Sequence, residues 1–156
     1  MGFTEMSSLD KPEDLLIGAL LRVPAQAIHR RLVDGLNDAG FQDLRLPHIS
    51  VFLYPGPDGC RPGELAQRAG VSKQAMHQLL QSLEQLGYLR RSDADEDGRA
   101  RIVHFTKRGR AAWDTIYDIL LQIETEWRTT LGDRQFQQLK KLLGKVWASG
   151  LVQVND

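Results

Sequence analysis

Apolar residues along this chain recur mostly every three or four positions, the spacing of one face of a helix. Between residues 12 and 37 they fall at Leu15, Leu16, Ala19, Leu20, Ile28, Leu32 and Leu36, which predicts helix over most of that span. Pro24 interrupts it. A proline removes one backbone bond and pushes against the carbonyl four residues earlier, so a kink or short break is expected near Val23. Gly40 suits a stop, and residues 1 to 11 read as a loose arm. The stretch from Leu46 to Tyr54 is short and mostly apolar. Pro47 favours a helix start there, whereas Val51, Phe52 and Tyr54 favour a strand, and the pattern alone leaves both open. Gly56-Pro57-Asp58-Gly59 marks a turn. Towards the end, Thr106 suits an N-cap for a long helix whose stripe is Ala112, Ile116, Ile119, Leu120, Ile123 and Trp127. Leu131-Gly132-Asp133 breaks it, and a last helix carries Phe136, Leu139, Leu142, Leu143, Val146 and Trp147.

Between these flanks, the segment from Arg61 to Gly109 has the most informative order. A short helix from Pro62 to Ala69 opens with proline at its first position, where the missing N–H is not needed. Ala69-Gly70-Val71 makes a tight turn, and Ser72 is placed to cap the next helix. That helix puts Met76, Leu79, Leu80, Leu83 and Leu86 on one stripe and stops at Gly87. Tyr88 to Arg91 and Arg101 to Phe105 then read as two short strands joined by a polar loop containing Asp97-Gly98-Arg99. Helix, turn, helix and a two-stranded wing make up the plan of a winged helix-turn-helix, a DNA-binding module. The fold class expected is therefore mainly α with a small antiparallel β-wing.

Composition narrows this further. At 156 residues with 42% apolar and 26% charged side chains, the chain has the size and balance of one globular domain. No apolar run is long enough to cross a bilayer, and the acidic N-terminus lacks the layout of a signal peptide, so a cytoplasmic address and no membrane partner are expected. A net charge of zero speaks against a nucleic-acid partner until its distribution is considered. Residues 61 to 110 hold ten Lys/Arg against six Asp/Glu, and the rest of the chain holds ten against fourteen. The basic excess thus sits on the winged segment. His29, His48, His77 and His104 are scattered without metal-ligand spacing, and nothing resembles a catalytic constellation, so neither metal, cofactor nor enzymatic activity is expected.

The ordered set Ala-Gly-Val-Ser, Leu-Glu-x-Leu-Gly-Tyr-Leu, Asp-Gly-Arg and Phe-Thr-Lys-x-Gly leading into a long helix resembles the core of the MarR family of bacterial transcriptional regulators. The resemblance is strong over about a third of the chain. It implies a single MarR-type domain over 1–156, with an N-terminal dimerisation helix (12–38), the winged helix-turn-helix (46–109) and C-terminal dimerisation helices (110–150). It also favours a helix for Leu46 to Tyr54. Its partners would be a pseudo-palindromic double-stranded operator, a second copy of the chain and a small-molecule effector. The terminal helices carry more apolar surface than a small winged domain covers; packing within the chain would hide it, but the resemblance implies a two-fold dimer.

On the second helix of the motif, Ser72, Lys73, Gln74, His77, Gln78 and Gln81 fall outside the apolar stripe, where Gln and Lys reach base edges in a major groove. A Gln-rich exposed face is also merely soluble; its place between the turn and the wing is what favours reading DNA. Arg99 has the length and planar charge for the minor groove, and in the family the Asp-x-Arg pair, here Asp97 and Arg99, has the acid orient the guanidinium. Arg90, Arg91, Arg101, Lys107 and Arg108 are natural phosphate contacts or simply solvated charges. A ligand pocket where the dimerisation helices meet the winged domain would draw on His29, His48, Phe52, Trp113 and Tyr117, which equally suit plain core. Cys60, beside Arg61, reads as an oxidation sensor or an incidental loop thiol; the family's peroxide sensors place their cysteine near the chain start, which favours the latter. The function expected is that of a DNA-binding repressor released by a small ligand. Its alternative is a winged-helix protein-interaction module without DNA binding.

Overall fold

The computed structural model describes residues 12–53, 56–92 and 101–150. After a single 3-10 turn at Pro12–Asp14, the order is α1 (Ile17–Asp38), α2 (Leu46–Phe52), α3 (Pro62–Ala69), α4 (Lys73–Gln85), β1 (Leu89–Arg91), β2 (Val103–Phe105), α5 (Lys107–Leu131) and α6 (Asp133–Ala148). Tyr54, the last residue of the ambiguous apolar stretch, lies outside the described residues, as do positions 1 to 11. Leu46 to Phe52 form helix α2, and Leu53 ends it in an extended conformation. Ile49, Val51 and Phe52 are all buried, so the β-branched residues serve packing on several sides of a helix of about two turns.

Of the kink or short break expected near Val23, the break is absent: α1 is one helix through Pro24. Proline forfeits only the bond to Leu20, a carbonyl one turn from the helix start. The bonds on either side keep the helix continuous.

The two helices of the motif are joined as their residues demand. Gly70 caps α3 in the left-handed region at φ 64°, ψ 35°, and Val71 N–H returns to the Ala66 carbonyl at 3.1 Å. Ser72 Oγ accepts from Ala75 N–H at 3.1 Å to start α4. After α4, Tyr88 N–H bonds the Leu83 carbonyl at 2.9 Å across Gly87, and the chain turns straight into β1. The two strands pair antiparallel with Leu89 opposite Phe105, Arg90 opposite His104 and Arg91 opposite Val103. The turn at 56–59 has a second use. Gly59 N–H bonds the Val103 carbonyl at 2.8 Å and Val103 N–H bonds the Cys60 carbonyl at 2.9 Å, so this loop runs along the outer edge of β2.

The core sits where α1 to α5 and the two strands converge. Leu32 and Leu36 of α1, Phe52 of α2, Leu65 of α3, Met76, Leu80 and Leu83 of α4, Tyr88, Val103, and Ala112 and Ile116 of α5 are buried in one cluster. Trp127 packs against its edge. The two ends of the chain are different. Leu16 at the N-cap of α1, Ile17, Leu21 and Val23 on that helix, and Leu142, Leu143, Val146 and Trp147 on α6, are exposed, Leu16 by 85% and Trp147 by 64%.

Among the described glycines, the one with least room for a side chain is at the start of α5. Thr106 Oγ1 accepts from Gly109 N–H at 3.0 Å, and Thr106 N–H bonds the Tyr88 carbonyl at 3.1 Å. A Cβ on Gly109 would lie 1.9 Å from that carbonyl oxygen. Gly109→Ala should therefore force two backbone segments apart and cost at least ~3 kcal/mol, beyond ordinary overpacking. Gly63→Ala in α3, where nothing lies within 4 Å, should cost nothing. Urea denaturation of the two variants against wild type checks the contrast; equal effects would refute the steric account.

Candidate nucleic-acid interface

The face of α4 opposite Met76, Leu80 and Leu83 carries Lys73, Gln74, His77, Gln78 and Gln81, all exposed. Ser72, at the cap, is exposed too. No hydrogen bond to another described residue is made by the side chains of Lys73, Gln74, Gln78 or Gln81, so four long polar side chains project together from one surface. His77 differs: its Nδ1 lies 3.2 Å from Arg91 Nη1.

The basic residues divide into two groups. Arg90, Arg101 and Lys107 are exposed around the strands. Arg91 and Arg108 are held inside the protein's own ion pairs. Arg91 grips Glu84 through Nε at 3.0 Å and Nη2 at 2.6 Å. These hydrogen bonds, with the guanidinium charge, hold the Glu84 carboxyl below its usual range despite partial burial. Arg108 lies over the Tyr88 ring, 4.3 Å from its centre, and donates to the Leu86 carbonyl and to Asp43. Asp97 and Arg99 at the wing tip lie outside the described residues.

Asp43, in the loop after α1, is a hub that sequence reasoning missed. It accepts from the Tyr88 hydroxyl and from both Arg108 Nη2 contacts at 3.2 and 3.0 Å. Burial alone would raise its pKa, but the Tyr88 hydroxyl and the Arg108 charge outweigh it and hold the carboxyl low. The same burial, and the Asp43 charge, push the Tyr88 phenol up. Nothing in periodicity or local spacing pairs residues 43, 88 and 108; only the tertiary fold does.

The five residues considered for a ligand do not form one group. Phe52, Trp113 and Tyr117 belong to a row of rings: Phe52 stacks on Phe105 (6.0 Å between centres), Phe105 meets Trp113 (6.2 Å), and Trp113 stacks on Tyr117 (5.4 Å). The row runs from the core to the surface, where Tyr117 is 49% exposed. His48 is turned away from it. Its Nδ1 accepts Arg45 N–H at 3.2 Å, so Nε2 carries the proton and donates to Ser82 Oγ at 3.1 Å. Burial, and then the Arg45 charge, lower the His48 pKa. His29 is half-buried on α1, apart from these contacts. Cys60 is buried, and its Sγ receives Arg68 Nη1 at 3.2 Å; the guanidinium beside it is not that of Arg61. Among the described residues no helix is long and apolar enough to cross a membrane, and no group of three His, Cys, Asp or Glu is placed to hold a metal ion.

A short α3–turn–α4 unit, an antiparallel pair of strands and long flanking helices define a winged helix-turn-helix protein. Residues 51–100 match the model of the MarR family. Among solved structures, a MarR family protein of Mycobacterium tuberculosis in complex with salicylic acid is 27% identical, over 87% of this chain and 99% of that one, with a TM-score of 0.60. A MarR transcriptional regulator of Methanosarcina mazei superposes at a TM-score of 0.71 with 19% identity, covering 86% and 96% of the two chains. Wild-type MarR of E. coli in its apo form gives 0.62 and 21%, covering 85% and 97%. Among curated proteins, no sequence matches the chain. The winged segment is thus similar to that of the MarR family, and the chain has the fold of the MarR-family structures on which it superposes.

Asp43 and Glu84 both have lowered pKa values in the folded chain. Each thus contributes stability that is present above the ordinary carboxylate range and lost as pH falls through the lowered value. Asp43→Asn should cost about 1–3 kcal/mol at pH 7, since it unpairs Tyr88 and Arg108. It should also flatten the fall in urea midpoint between pH 6 and pH 3. An undiminished acid response in the variant would place that sensitivity elsewhere.

Proposed function

We propose that the chain is a homodimeric transcriptional repressor that reads a pseudo-palindromic operator and is released by a small ligand. The observation that carries DNA reading is the outer face of α4, where Lys73, Gln74, His77, Gln78 and Gln81 are all exposed while the opposite face is core. A helix entering the major groove needs this division: a rigid buried side and a row of long hydrogen-bonding side chains. Ser72 at the N-terminus of α4, with Arg90, Arg101 and Lys107 beside the strands, supplies phosphate contacts. Arg99, oriented by Asp97, enters the minor groove; this assignment rests on the resemblance in sequence.

The dimer reading rests on the exposed apolar ends of α1 and α6, which a second copy would cover. An effector reading is supported by the aromatic row that reaches the surface at Tyr117 on α5, the helix joining winged module to chain end. The 27% identical relative binds salicylic acid, an aromatic acid of a size that such rings accommodate. His29 on α1 and His48 on α2, which stand apart from the aromatic row, stay in this proposal on the family resemblance alone.

Three measurements test the reading. Wild-type protein should sediment as a dimer at micromolar concentration, and Leu142→Glu with Val146→Glu should make it a monomer; a dimeric double variant would place the interface elsewhere. Gln74→Ala should weaken binding to a duplex selected from random DNA by about 1–3 kcal/mol and leave non-specific binding intact. Equal losses on both duplexes would remove Gln74 from base contact. Arg99→Ala should lower operator affinity strongly and Asp97→Ala more weakly. The double variant should be no worse than Arg99→Ala, as fluorescence anisotropy at fixed salt would show. Additive losses would mean that the pair does not act as a unit.

A further inference from the structure

Glu84 and Arg91 are seven residues apart, one in the last turn of α4 and the other ending β1. The turn at Gly87 folds the strand back along the helix, and the two side chains meet edge to edge. Glu84 Oε1 accepts both Arg91 N–H and Nε–H at 3.0 Å, and Oε2 accepts Nη2 at 2.6 Å. The arginine side chain is only 12% exposed and the glutamate 26%, so this fork is fixed rather than waving in solvent. Hydrogen bonding from Arg91 also keeps Glu84 ionised well below the usual range, which holds the fork closed near neutral pH. One guanidinium corner remains. Its Nη1 points at His77 Nδ1, 3.2 Å away on the exposed face of α4.

A guanidinium has donors and no acceptor, so His77 Nδ1 must be the accepting nitrogen. The ring is then neutral, with its proton on Nε2, the edge turned away from Arg91. Gln74 and Gln81 lie three and four residues from His77, beside it on the helix surface, and Gln78 follows it directly; all three are exposed. Their amides present a donor and an acceptor each and can turn to suit either. His77 has no such freedom: with Nδ1 engaged, it offers a donor only.

We propose that Glu84 and Arg91 are positioning residues that set His77 as a fixed hydrogen-bond donor in the DNA-reading face, selecting a base that presents an acceptor. This rests on the DNA-binding reading above and gives Arg91 a role other than phosphate contact. Guanine N7 or O6, adenine N7 and thymine O4 accept such a bond; the amino group of cytosine is itself a donor and is refused.

The test uses the full-length protein and duplexes selected from a random pool. His77→Ala identifies the base position concerned as the one whose preference collapses. Arg91→Lys keeps the charge but cannot form the fork, and Glu84→Gln removes the clamp. Both should relax preference at that same position roughly 3- to 10-fold, a single hydrogen bond's worth, and leave other positions unchanged. Arg91→Met should leave the slope of log K against log salt as in wild type. Thermal melting of each variant shows that it is folded, and Arg91→Lys alone decides the matter if Arg91→Met is not. A slope shallower by roughly one per bound protomer in Arg91→Met, with wild-type preference in Arg91→Lys, would make Arg91 a phosphate contact and overturn the proposal. In the free protein, nitrogen-15 spectra should show His77 protonated on Nε2; a proton on Nδ1 overturns it without any DNA. A wild-type chain that binds no duplex from the pool would instead overturn the DNA-binding reading, and this one with it.

Discussion

The carbonyl of Tyr88 is the point at which the winged module is fastened to the long helix that follows it. Thr106 N–H bonds it at 3.1 Å, and Gly109 presses so close that its missing side chain is what allows the contact. Backbone against backbone leaves no rotamer to adjust, so the angle between β1 and α5 is fixed more firmly than side-chain packing would fix it. The Tyr88 ring extends the joint. It meets Phe52 edge-on with centres 6.3 Å apart, carries Arg108 on its face and gives its hydroxyl to Asp43. One residue thereby ties the loop after α1, helix α2, the wing and the start of α5 into one unit. The orientation of α4 follows, because its last turn runs through Gly87 directly into that residue.

This joint explains why an aromatic row and a polar helix face belong to one mechanism in the proposed function. Phe52 touches both Tyr88 and Phe105, and Phe105 leads through Trp113 to the surface at Tyr117. A ligand that displaced the outer rings would act on the packing that sets where α4 points. Two packed arrangements of such a row would be discrete states, since close-packed rings do not deform gradually.

Much of the architecture was legible in the residues, because it is enforced locally. Pro62, Gly70, Ser72, Gly87 and Thr106 each do what their own backbone chemistry dictates, and the helices begin and end where these residues stand. Leu46 to Phe52 was ambiguous because a short apolar run packed on several sides has no period to read. Pro24 does not end the helix, since its penalty is one hydrogen bond and the remaining ladder carries on through it. The site was legible only as a face. That Gln74 and Gln78 point outward follows from helical spacing, but that Arg91 is clamped while Arg90 is exposed depends on which side of a two-stranded pleat each occupies. Burial alternates along β1, yet nothing local tells which phase meets Glu84. The Asp43–Tyr88–Arg108 group spans 65 positions and has no sequence signature at all.

The two-stranded sheet has one more property. A sheet this small offers two open borders on which a foreign strand could nucleate. Here the chain itself covers one border and part of the other. Along β2, Gly59 and Cys60 take the outward groups of Val103, and the Asp58 carboxylate takes Phe105 N–H at 2.8 Å. Along β1, the outward N–H of Arg91 is taken by Glu84. The carboxylate that clamps the arginine thus also covers part of a border, so a substitution there would leave one more unpaired N–H open to a foreign strand.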